Sequence, residues 1–240
     1  MKFCQVGNKS ILKLFSITVL IVIMQANSKL LAQTESFSEA EISNRIWQKD
    51  RFAIEGKGNW KRFIDQNGWQ RIRLELIMRR SILKRWTAYS GFSYAYTFGS
   101  ETPNFSEQRP WLAIRYDLKL HKQFTIVQQL KGEWRLFNAS SRDNYFRSRY
   151  RASMIYQLRN NESELSDWFI VGTMEWYFLR DPISEERFPN SNQFSLKGVH
   201  RFQNTSELGI SIKYEEFIST ENTLAKNAIT LMFQYFLVID

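Results

Sequence analysis

Cysteine is all but missing from this chain: the only one, Cys4, stands ahead of an apolar run near the amino terminus. Once that segment is removed, disulfides, thiolate catalysis and cysteine-ligated metals are excluded. Histidine is nearly as scarce, and His121 and His200 alone are a poor basis for a transition-metal centre. Four prolines and ten glycines in 240 residues leave no room for collagenous or low-complexity sequence. Long apolar runs are also lacking, since nothing after residue 32 approaches the ~20 consecutive apolar residues of a spanning helix. A chain of this kind that enters a membrane does so as strands.

What is present begins with a processing signal. Lys2, Lys9 and Lys13 precede the apolar stretch Leu14 to Met24, and small residues follow at Ala26, Ser28 and Ala32. This is the order of a secretory signal peptide, so residues 1–32 are expected to be removed, with cleavage after Ser28 or Ala32. The apolar stretch is too short for an uncleaved anchor. Residues 33–240 then form one domain. The full chain has a formal charge of +9, but four lysines and no acid fall in the leader, so the remainder carries 29 basic and 24 acidic residues. Acids are interleaved with bases almost everywhere, which argues against a nucleic-acid partner.

Aromatic residues make up 15% of the chain, and from Phe52 onward apolar and polar residues alternate with a period of two. Gln70 to Arg80 is the clearest example, with Ile72, Leu74, Leu76 and Met78 opposite Arg71, Arg73, Glu75 and Arg79. In Asp143 to Leu158, Arg147, Arg149 and Arg151 share one face, with Phe146, Tyr150, Met154 and Tyr156 on the other. Ten such strands are expected, separated by alternately short and long connections, with both termini at the short-connection end. A further hairpin formed with Phe37 to Lys49 would make twelve. Glu101 to Glu107 reads as a loop. The fold class is all-β: a single antiparallel up-and-down transmembrane barrel with its apolar face toward lipid and its polar face toward the lumen.

Short motifs add a resemblance. Glu107-Gln108-Arg109-Pro110-Trp111, Glu133-Trp134-Arg135, Arg147-Ser148-Arg149-Tyr150-Arg151 and Glu175 resemble the pattern of the bacterial outer-membrane proteins grouped as domain of unknown function 2490 (DUF2490), across roughly Glu41 to Tyr235. Phe194 departs from the arginine expected there, and Met174 from the amide that often precedes the acid. The resemblance implies an outer-membrane barrel and no established activity.

The candidate site is a charge network in the lumen: Arg71, Arg73, Glu75, Arg79, Arg115, Lys131, Glu133, Arg135, Arg147, Arg149, Arg151 and Glu175. Inward acids among so many arginines are expected to be paired, because a lone buried ion costs several kcal/mol. Two roles fit, a narrow anion-leaning pore or a structural barrel plugged by its own charges. The expected partners are outer-membrane lipid and small anions; no cofactor is implied. A lipid- or glycan-modifying enzyme is the competing class, with His121, His200 or the pair Glu133 and Glu175 as its candidate groups, and a soluble lipocalin-like periplasmic binder is a third. Trp86, Trp134, Trp168, Trp176 and Tyr235 are expected at the membrane interfaces.

Overall fold

Alternation of side chains along each strand produces a closed sheet with its polarity reversed from that of a soluble protein. The computed structural model describes residues 34–64, 70–99, 104–139, 143–159, 165–178, 192–202, 206–217 and 226–238. The expected signal peptide and both of its cleavage positions lie outside these residues. Glu35–Asp240 is one compact unit, and no helix occurs among the described residues.

Eleven strands form the barrel: β1 (Thr34–Lys49), β2 (Phe52–Phe63), β3 (Gln70–Leu83), β4 (Trp86–Phe98), β5 (Phe105–His121), β6 (Phe124–Asn138), β7 (Tyr145–Arg159), β8 (Leu165–Tyr177), β9 (Gln193–Arg201), β10 (Glu207–Phe217) and β11 (Lys226–Val238). Each pairs antiparallel with the next, and β1 closes the ring against β11. Ten successive reversals leave β1 and β11 pointing the same way, so the closing seam is parallel. Its contacts advance together along both strands, with Phe37 against Ala228, Glu41 bonded to Gln234 and Arg45 over the Phe236 ring.

The count of eleven corrects the expected ten or twelve. Residues 34–49 contribute one long strand where the first strand was expected only at Phe52, or a further hairpin before it. The termini move accordingly: β1 begins at one end of the barrel and β11 finishes at the other. With β1 in place the connections sort completely by length. At one end they contain two, two, two, five and five residues, and at the other six, six, six, fifteen and eight. Asp50 adopts a left-handed conformation, φ 51°, in the two-residue turn after β1, a conformation that Asp tolerates better than most side chains.

The pleat sends charge inward and hydrocarbon outward. On β3, Arg71 is 5% exposed while Leu74 is 62% exposed. Ile42, Leu76, Leu112, Leu130, Ile210, Ile212 and Leu231 are likewise exposed on the outer face. The buried apolar side chains are few and mostly small, including Ala53, Ala95, Ala113 and Ala228, whereas Glu107, Glu133 and Arg135 are fully buried. Aromatics collect toward the strand ends. Trp47, Trp86 with Tyr116, and Trp168 with His200 and Phe202 lie toward the short-connection end. Trp60, Tyr96, Trp134 with Phe146, and Phe194 lie toward the other end.

Candidate functional site: a charge-lined lumen

The lumen begins with a matching of sizes between β3 and β4. Arg71, Arg73 and Glu75 stand opposite Thr97, Ala95 and Ser93, so each long side chain has a short neighbour and can extend toward the barrel axis. On β4 and β5 the opposite device appears. A Cβ at Gly91 would overlap the indole of Trp111, its cross-strand partner, so glycine there is what lets that ring lie flat against the wall. Lys131 Nζ sits 3.8 Å from the centre of the same ring.

Glu107 is the hub. Its carboxylate accepts hydrogen bonds from Arg71 Nη2 at 2.5 Å, from Arg135 Nε at 2.5 Å and Nη2 at 3.1 Å, and from Arg109 through two nitrogens. Arg135 also donates to the Tyr145 hydroxyl and is completely buried. Glu133 is the second node, held by Arg147, with Lys131 and Arg149 each at 3.5 Å. Arg149 continues to Glu175 at 2.5 Å, where Arg151 joins at 2.7 Å and the Tyr177 hydroxyl donates at 2.9 Å. Lys131 lies 3.8 Å from Glu75 and extends the belt back to β3.

On β1, β2 and β10, three carboxylates are paired with lysine. Glu39 accepts from Lys213 at 2.7 Å and from Asn59 at 2.6 Å. Lys57 pairs with Glu41 at 2.8 Å, and Lys61 with Glu215 at 3.3 Å. Apart from Glu107, Arg135 and Tyr145, which lie behind its wall, both sets line one internal cavity of about 810 Å³. Thirteen Lys and Arg side chains face it against eight Glu, so the wall carries a formal excess of five positive charges. Near the long-connection end, Phe37 packs on Phe63 and Phe137 on both Phe105 and Tyr145.

Ten of the twelve sequence-derived site residues line this cavity: Arg71, Arg73, Glu75, Arg115, Lys131, Glu133, Arg147, Arg149, Arg151 and Glu175. Arg135 is buried behind its wall against Glu107. Arg79 shares the inward parity of β3 but does not line the cavity, and it pairs with Glu55, which does, at 3.4 Å. Arg115 bonds to Asp117, 2.7 Å away on its own strand, and is outside the belt.

Glu107 was missed because the loop reading of residues 101–107 ended one strand turn too late; β5 begins at Phe105. Its parity with Arg109, Trp111, Ala113 and Arg115 was the available signal. Glu39, Glu41 and their lysine partners were missed with β1 itself.

The candidate catalytic groups are placed as follows. His121 ends β5, and its Nδ1 accepts from the Gln123 amide at 3.4 Å. His200 is on the outer face between the rings of Trp168 and Phe202. Glu133 and Glu175 are joined through Arg149. No group of three or more potential metal-ligating side chains occurs among the described residues.

No curated protein matches the chain. The motifs at Glu107, Glu133, Arg147 and Glu175 all fall inside the residues, 34–223, that match one family, and that match begins with β1 and covers most of the barrel. The chain therefore belongs to the family described as protein of unknown function, DUF2490.

Proposed function

We propose that the mature chain is an outer-membrane barrel whose lumen is a narrow path favouring small anions. The observation that carries the membrane half is the inversion of burial: among the described residues thirty-three large hydrophobic side chains are exposed while arginines and glutamates face the interior. A water-soluble barrel would pay for that exposure with aggregation, whereas a lipid surround rewards it. The aromatic side chains toward both strand ends and the signal-peptide pattern of residues 1–32 support the same reading. Short connections at one end and longer ones at the other suit periplasmic turns and extracellular loops. The anion preference rests on the positive excess around the cavity.

Planar-bilayer recording on refolded mature protein tests the pore. Anion selectivity should appear as a reversal-potential shift under a salt gradient. Absence of any conductance would favour the second reading, a structural barrel, which the Glu107 layer and the inward aromatics near the long-connection end support. Recovery of the mature protein from the periplasm without detergent would defeat the membrane assignment. Leu112→Arg, in the middle of the outer face, should destabilise a lipid-embedded barrel by about 2–4 kcal/mol.

A further inference from the structure

Two features outside the lumen fall on one side of the barrel. The first is a groove of about 530 Å³ on the outer face of β1 to β4, walled by Ile42, Leu74, Leu76, Phe92, Tyr94 and Leu237. Gly56 and Gly58 form its floor, where any longer side chain would stand in the space. The second is a concentration of cations at the short-connection end of the same strands and their neighbours. Lys49, Arg51, Arg80, Lys84, Arg85 and Lys119 are all exposed there, on three adjacent hairpins. Of the acids nearby, Asp117 is bonded to Arg115, which leaves Asp50.

The two are aligned by β3. Leu74, Leu76, Met78 and Arg80 share its outer face, so the strand leads from groove to cation. Arg80 lies four positions beyond Leu76, about 13 Å along the strand or about 10 Å of depth at the usual tilt of a barrel strand, close to a third of the ~30 Å hydrocarbon core of a bilayer. Arg80 stands in register between Phe52 and Ala88, Phe52 packs edge-on to Trp47, and Arg85 reaches the Tyr116 hydroxyl. These aromatic neighbours set the cations at the level where headgroups meet acyl chains.

We propose that this face binds an anionic phospholipid, with its phosphate against Arg80 and the adjoining turn cations and an acyl chain laid into the glycine-floored groove. The inference rests on the membrane reading above. Charge complementarity selects an anionic headgroup over a zwitterionic one, and continuity along β3 selects a lipid over a soluble anion. The cations lie at the short-connection end, which that reading places in the inner leaflet.

The test is native mass spectrometry of the refolded mature protein in detergent, titrated with phosphatidylglycerol, phosphatidylcholine or lipopolysaccharide. A first phosphatidylglycerol should be retained at a concentration on the order of tenfold below that for phosphatidylcholine. Arg80→Gln with Arg85→Gln should remove that difference. Gly58→Val should lower retention of both phospholipids while keeping their ratio, because a Cβ there meets Ile42 and Leu74 at ordinary contact distances, 3.5 and 3.8 Å, and the side chain stands in the groove. Heat-modifiable migration on gels verifies that each variant folds. Equal retention of the two phospholipids, preference for lipopolysaccharide, or a ratio untouched by the arginine changes would each overturn the proposal while leaving the barrel in the membrane. A mature chain soluble without detergent would overturn both.

Discussion

The two arcs of the lumen wall solve the same problem with different cations. On β3 and β5 to β8, arginines converge on shared carboxylates: Glu107 takes three, Glu133 takes two and a lysine, and Glu175 takes two. On β1, β2 and β10, carboxylates and lysines meet one to one, at Glu39 with Lys213, Glu41 with Lys57 and Glu215 with Lys61. A guanidinium presents five donors in a fixed fork and can serve two acids, as Arg149 does, whereas an ammonium is a point charge on a flexible stem. The arginine arc is therefore cross-linked, and much of the positive excess lies on it. The lysine arc is close to neutral, and its three ion pairs share no member.

The sharpest way to break this contrast is to remove a hub. Glu107→Gln removes the shared carboxylate from three buried guanidinium groups and should cost about 3–5 kcal/mol, as breaking a buried pair does, read as loss of the folded, heat-modifiable form or a large drop in urea midpoint. Next comes Gly91→Val, which forces Trp111 off the wall and with it Lys131; overpacking of this kind costs about 1–3 kcal/mol. Arg135→Lys should fall in a similar range, about 1–3 kcal/mol, since an ammonium cannot reproduce the forked bond to Glu107 and the contact with Tyr145 together. The smallest effect belongs to the other arc. Glu39→Gln should cost about 1–2 kcal/mol, because it takes the acid from one cation rather than three and Lys213 borders the cavity. Equal losses for Glu39→Gln and Glu107→Gln in the same urea series would erase the distinction between the arcs.

The arginine arc was the legible part of the sequence because its strands alternate without interruption across the residues that carry the charges, their register shifts falling at the strand ends. Arg147, Arg149 and Arg151 keep their parity, and so do Lys131, Glu133 and Arg135, so period two alone put acids and bases on one face. The lysine arc was harder to read because β1 breaks the rule in two ways. Phe37 faces inward beside Glu39 and Glu41, and a register shift between Arg45 and Trp47 leaves Ile46 and Trp47 both exposed. A bulge of this kind flips the parity midway and hides a strand from any count of alternation. Glu107 shows a different limit. Proline at 103 and polar neighbours suggest a loop, and only pairing across to β4 and β6 reveals that Phe105 and Ser106 already belong to the sheet.

The parallel seam has a consequence for how the chain can be assembled and re-engineered. The partners that close the ring, Glu41 and Gln234, are 193 residues apart in sequence, whereas every other pairing joins consecutive strands. Ring closure is the strand pairing of by far the greatest sequence separation and cannot be templated by a neighbouring hairpin, so it is the natural last step of assembly. The same geometry rules out the usual circular permutant. A short linker cannot join Val238 to Thr34, because they lie at opposite mouths; the new connection would have to thread the lumen and displace its charges.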